Sequence, residues 1–246
     1  MKKTMFALML LAIISGALFA QTPSNFFSAG IGFVDHNFLV STKTETSTGS
    51  VTKEWKENHA TNGIGVFGFF DAKYAELDLG VLFYDDFPIN YGYSGESTNL
   101  TIGLIGKYPF DLGSKGKLFP LFGISYSICL DARFATFDST TQKMVTKSNS
   151  DYKSEWDVGK SDEDKWPELF DYNQFGFKLG FGVDYEIIPK LYIRGEAVYN
   201  LGLLSNAQIW NNKRYEKSYK SDGANSVTLN TFSHGAEVKL AVGYKF

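Results

Sequence analysis

From Phe26 to its last residue the chain alternates apolar and polar side chains with period two, a repeat that few folds can accommodate. Between Tyr74 and Phe83, one parity holds Ala75, Leu77, Leu79, Val81 and Phe83, and the other holds Glu76, Asp78 and Gly80. A helix would scatter these sets around its circumference, whereas a strand sends them to opposite faces. Phe175, Phe177, Leu179, Phe181, Val183 and Tyr185 repeat the pattern against Gly176, Lys178, Gly180, Gly182 and Asp184. The final stretch sets Phe232, Ala236, Val238, Leu240, Val242, Tyr244 and Phe246 against Ser233, Gly235, Glu237, Lys239, Ala241, Gly243 and Lys245.

Five further segments carry the same signal. Phe27, Ala29, Ile31 and Phe33 open the first strand, whose parity is lost near Asp35, a sign of a bulge. Ile64, Val66 and Phe70 mark the second; Leu100, Ile102, Leu104 and Tyr108 mark the fourth. Phe122, Ile124, Tyr126, Ile128, Leu130 and Phe134 mark the fifth, and Ile193, Ala197, Tyr199, Leu201 and Leu203 the seventh. The total is about eight strands, most with the ~9–11 residues that cross a bilayer. Three connections are short, near Asp71 to Lys73, Asp111 to Lys117 and Ile188 to Lys190. Four are long and polar, near Lys43 to Thr61, Asp86 to Ser97, Ala135 to Tyr172 and Ser205 to Leu229. Such asymmetry, with short periplasmic turns and long extracellular loops, predicts an all-β, closed antiparallel transmembrane barrel.

Residues 1–20 read as a secretory signal: Lys2 and Lys3, an apolar core from Met5 to Ile14, then small residues before cleavage after Ala20 or Ala17. Residues 21–246 then form a single barrel domain exported past the inner membrane. No later run reaches the ~18 apolar residues of a membrane helix. A net charge of −3 offers no electrostatic case for a nucleic-acid partner. The single Cys129 excludes an intramolecular disulfide framework.

Alternation alone fits both a soluble barrel with apolar residues inside and a membrane barrel with apolar residues outside. The polar faces carry Glu76, Asp78, Lys107, Asp131, Arg133, Lys178, Asp184, Glu186, Arg194, Glu196, Glu237 and Lys239, enough of both signs to pair within a lumen. Aromatics on the apolar faces gather toward strand ends, at Phe83, Tyr108, Phe122, Phe134, Phe175, Tyr185, Tyr199, Phe232, Tyr244 and Phe246, as interfacial girdles do. With the export signal, this favours the membrane orientation. The ending Leu240, Val242, Tyr244 and Phe246 resembles the C-terminal signal that outer-membrane proteins present to the barrel-assembly machinery. The whole mature chain is similar to the small eight-stranded superfamily of OmpA-transmembrane, OmpX and OmpW-type barrels. That resemblance implies an outer-membrane location, with outer-membrane lipid and the assembly machinery as partners. It selects no activity.

An eight-stranded barrel encloses little beyond its own side chains, so the inward charges are expected to fill the lumen. No catalytic, cofactor or metal site is expected. Asp35, His36, Ser233 and His234 fall in one region of neighbouring strands, but Ser233 and His234 have opposite parity, and His234 shares the lipid-facing one. Asp162, Glu163 and Asp164 offer oxygens suited to a hard cation, yet their spacing does not match an EF-hand and Lys160 and Lys165 are interleaved. Trp55, Trp156, Trp166 and Trp210 all fall in long loops. They are contact candidates for an extracellular ligand or host protein, or a packed closure of the mouth, or interfacial anchors. The chain therefore reads as a non-enzymatic outer-membrane barrel with a structural or surface-interaction role; the alternative is a narrow channel for ions or small solutes.

Overall fold

The computed structural model describes residues 27–85, 95–138, 142–161 and 164–246, so the expected signal segment lies outside the described residues. Eight long strands form a ring: β1 (Ser28–Thr48), β2 (Val51–Asp71), β3 (Ala75–Tyr84), β4 (Gly95–Lys107), β6 (Gly116–Asp138), β8 (Gln174–Ile188), β9 (Leu191–Gly202) and β10 (Ser226–Lys245). Neighbours pair antiparallel around the circle, and the β1–β10 register, from Ser28 opposite Lys245 to Ser47 opposite Ser226, closes it. Closure leaves the ring no unpaired edge, the condition for a sheet to stand in lipid. Two short strands, β5 (Phe110–Leu112) and β7 (Lys143–Ser148), extend hairpins from β6.

The wall is inverted relative to a water-soluble domain. Leu179 on its outer face is 67% exposed, while Arg194 on the inner face is 0% exposed. Leu79, Phe181, Leu240 and Ile31 join the outer belt; Glu76, Lys107, Glu196 and Lys239 are buried inside. Water would penalise that exterior by roughly 25 cal/mol per Å² of apolar surface, and hydrocarbon would not. Inward glycines make room for rings: a Cβ on Gly182 would fall 2.3 Å from the Phe119 ring, and one on Gly243 the same distance from Tyr192.

Two expectations about strand parity need correction. β1 keeps unbroken register past Asp35, with no bulge. What changes there is composition: outward positions turn from Ile31 and Phe33 to Asp35 and Asn37, because the strand leaves the apolar belt. The bulge sits instead on β6. Asn99 pairs with Cys129 and Thr98 with Asp131, so Leu130 is an extra residue and every later side chain changes face. Asp131 and Arg133, expected in the lumen, point outward and pair with each other at 2.9 Å, both about half exposed. Phe134, expected in the aromatic girdle, is fully buried on the inner side.

The long connections are also more ordered than polar loops. Residues 43–61 are no loop: β1 and β2 stay paired up to a turn at Gly49, whose φ of 62° suits glycine. Together with β10 they form a three-stranded extension standing roughly ten residues, or ~33 Å, beyond the belt. Residues 143–172 hold β7, helix α1 (Asn149–Trp156) and a 3-10 turn at Leu169–Tyr172. The last connection holds helix α2 (Asn206–Ser221), started by a capping box between Ser205 and Gln208. Most of the connection between β3 and β4 lies outside the described residues.

Candidate functional site

Three regions concentrate chemistry: the lumen, a cap over its long-connection end, and a cleft beside that cap. Inside the ring, buried ion pairs share the space with two apolar clusters, one that includes Phe67, Phe69 and Tyr192 and one of Ile105, Phe119, Leu121 and Val198. Arg194, from β9, donates to Asp71 and Asp184 at 2.7 Å each, and also to Glu76. Lys107 donates to Glu76 at 2.9 Å and to Asp71. Lys239 pairs with Asp78 and lies 3.5 Å from Glu196; Lys178 donates to Glu237 at 2.9 Å. The cations also rest on rings, Arg194 at 4.3 Å from the centre of Phe69 and Lys107 at 4.6 Å from Phe119. Above this column, His36 Nδ1 lies 2.5 Å from the Tyr84 hydroxyl.

Of the twelve expected lumen residues, Glu76, Asp78, Lys107, Lys178, Asp184, Arg194, Glu196, Glu237 and Lys239 converge inside. Glu186 instead pairs with Lys245 at the short-turn end, where both are partly exposed. Sequence reasoning misses Asp71 because it reads as part of a turn. Its parity, opposite to Phe70, is the available signal, and it accepts from two cations. Glu76, Asp78 and Glu196 place carboxylate oxygens within 4.8 Å of one another, an arrangement that can hold a cation. Arg194, Lys107 and Lys239 already supply positive charge there.

The cap is a second core, built the ordinary way round. Trp166, 1% exposed, packs edge-on against Phe134 at 5.2 Å and against Trp210 of α2 at 5.6 Å. Its indole donates to Asn149 Oδ1 at 2.9 Å, and its backbone amide donates to Asp157 Oδ1 at 2.7 Å. Trp156 lies 5.5 Å from Trp166 and carries Arg214 over its face at 4.4 Å. Three of the four loop tryptophans thus pack on one another. Asp162 and Glu163 lie outside the described residues; Asp164 accepts from Lys217 at 2.9 Å. Partial burial pushes the Asp157 carboxyl up, but hydrogen bonds from Lys153 and the Trp166 amide outweigh it and hold the group below its ordinary value.

Trp55 stands apart. It lies on the inner face of the strand extension with Glu57 and His59, and packs edge-on against Tyr219 of α2 at 5.4 Å and 68°. A cleft of about 550 Å³ opens there, lined by Thr44, Trp55, Glu57, Asn58, His59, Tyr215, Tyr219 and Leu229. Partial burial and the nearby Glu57 carboxylate both push the Tyr219 hydroxyl up.

The histidines and serine form no catalytic set among the described residues. Asp35 faces out, His234 lies among the rings of Tyr199 and Phe232, and Ser233 accepts from Gln174 at 3.0 Å. Leu240, Val242, Tyr244 and Phe246 all face outward on or just after β10, about half exposed or more.

No family model matches the chain, and no curated protein is similar to it in sequence. Solved structures similar to it include Neisserial surface protein A (13% identity, 92% of this chain and 100% of that chain, TM-score 0.35). A major outer membrane protein from Thermus thermophilus is similar at 13% identity, over 87% and 99%, with a TM-score of 0.37. The outer membrane protease OmpT from Escherichia coli is similar at 10% identity, over 92% and 99%, with a TM-score of 0.33. On its own strand register and inside-out distribution of charge, the chain is a closed, eight-stranded antiparallel β-barrel of the outer-membrane type.

Proposed function

We propose that this chain is an outer-membrane anchor whose activity lies in its extracellular cap and strand extension, and that its lumen does not conduct. The observation that carries the reading is Arg194: it is fully buried inside the ring and tied to Asp71, Glu76 and Asp184. An ion crossing the barrel would have to break several such pairs in a low-dielectric interior. The ordered cap and aromatic cleft support a surface-interaction role and give no support to catalysis. In this setting the outer belt meets outer-membrane lipid, and Phe246 with the alternating residues before it serves as the assembly signal.

Planar-bilayer recording on refolded full-length protein tests the reading. A silent bilayer is expected from protein that migrates as folded, heat-modifiable barrel on a gel. Reproducible current steps that change on Arg194→Ala would replace it with the narrow-channel alternative.

A further inference from the structure

The cleft between the strand extension and α2 has a chemistry that neither the lumen nor the cap shares. Its walls bring together Trp55, Tyr215 and Tyr219, with Glu57 and His59 on the same strand face as Trp55. Trp55 and Tyr219 meet at 68°, so their ring planes form a corner and not a single flat platform. The ring pair Tyr215 and Tyr219 is one turn apart on α2, 6.5 Å between centres. Helix and sheet are locked in this relation by a hydrogen bond from Thr231 to Asn212 at 3.1 Å, so the corner is built before any ligand arrives.

Charge decides what fits. No lysine or arginine lines the cleft, and Glu57 makes no ion pair among the described residues. Of the four basic residues of α2, Lys217 pairs with Asp164, Lys220 with Glu216 on the same helix, Arg214 lies over Trp156 and Trp210, and Lys213 lines a separate surface groove with Glu216 and Lys217. Ring faces carry negative potential, so a corner of rings beside a carboxylate attracts a cation. A strongly hydrated metal ion gains little from rings. A cation whose charge is spread over methyl or alkyl groups gains from both, because it sheds its weak hydration easily and its surface matches the aromatic walls.

We propose that this cleft is a binding site for a small organic ammonium ion of the quaternary or alkylated type. The proposal rests on the surface-interaction reading above, and the two fail separately: channel conductance would remove that reading, whereas a cleft indifferent to cations would remove this one and leave the silent barrel intact.

Calorimetric titration of the refolded full chain provides the test, in a polyoxyethylene detergent that carries neither an ammonium nor a sugar headgroup. Three probes are compared: choline, its neutral isostere 3,3-dimethylbutanol, and glucose. Saturable choline binding is expected, with the isostere weaker by about tenfold or more and glucose inert. Glu57→Gln should weaken choline by about tenfold, and Trp55→Ala should abolish its binding, with both variants still heat-modifiable on a gel. Tyr185→Phe, on the outer face of β8 near its short turn, should leave choline binding unchanged. The proposal is overturned if choline does not bind the folded wild type, or if the isostere binds equally well. Glucose binding in place of choline would overturn it in favour of a saccharide site. Should Trp55→Ala fail to fold, the Glu57→Gln and isostere results decide the question alone.

Discussion

The barrel and its cap solve burial in opposite ways. In the barrel wall, Leu179 and Leu240 face outward while Arg194 and Lys239 are sealed inside. In the cap, Trp166, Phe134 and Tyr172 are sealed inside while Lys217 and Glu155 stay in water. The difference follows from the solvent each region meets. Where the surroundings are hydrocarbon, apolar burial yields no driving force and polar groups must satisfy one another internally. Where the surroundings are water, removing rings from it is the main source of stability. One chain makes the change within a few residues, at the β6 bulge, which turns Phe134 inward just as the strand leaves the belt.

The sharpest way to break this comparison is to remove the central residue of each region. Arg194→Ala leaves Asp71, Glu76 and Asp184 buried without their shared cation, a loss of about 3–5 kcal/mol. Urea unfolding in lipid vesicles should show it as an early, global transition with loss of heat-modifiable migration. Trp166→Ala empties a large site in an aqueous core, at a cost of about 3–5 kcal/mol confined to the cap. Proteolysis should then cut residues 143–172 while the barrel stays heat-modifiable. Global unfolding from Trp166→Ala would show that the two regions form one cooperative unit.

A smaller effect tests the belt. Leu179→Arg puts a charge against hydrocarbon and should cost about 2–4 kcal/mol in vesicles. If the outer face met water, the same change would be close to neutral.

The smallest effect concerns pH and belongs to the cap alone. Asp157 is held below its ordinary value of 3.8 in the folded state, so its contribution to stability is present above about pH 4 and lost as pH falls through the depressed folded value. Tryptophan emission should stay constant from pH 7 to about 5 and shift only at lower pH. A cap that loosens as pH rises toward neutrality would contradict the assigned role of Asp157.

Much of this could be read from alternation, because strand parity is a local property of neighbouring residues. Leu77, Leu79 and Phe83 on one parity and Glu76 and Asp78 on the other suffice to assign inner and outer faces of β3. The same rule places Lys178, Arg194, Glu237 and Lys239 in the lumen. It fails at Asp131, Arg133 and Phe134 because one inserted residue, Leu130, reverses parity, and the insertion shows only as a register shift against β4. It fails at Lys43 to Thr61 because Thr44, Glu57 and their neighbours are polar on both faces above the belt, so pairing there leaves no apolar stripe to read.

Taken alone, the amino-acid order determined the number of ring strands and, away from the β6 bulge, which face of each turns inward, since both depend on spacing along a few residues. Ring closure and loop packing decided the rest: that Arg194 meets Asp71 across the lumen from 123 positions away, that three tryptophans form a core, and that Trp55 meets Tyr219 beside Glu57. Those contacts join residues far apart in the chain, and no local repeat encodes which distant partner a side chain will meet.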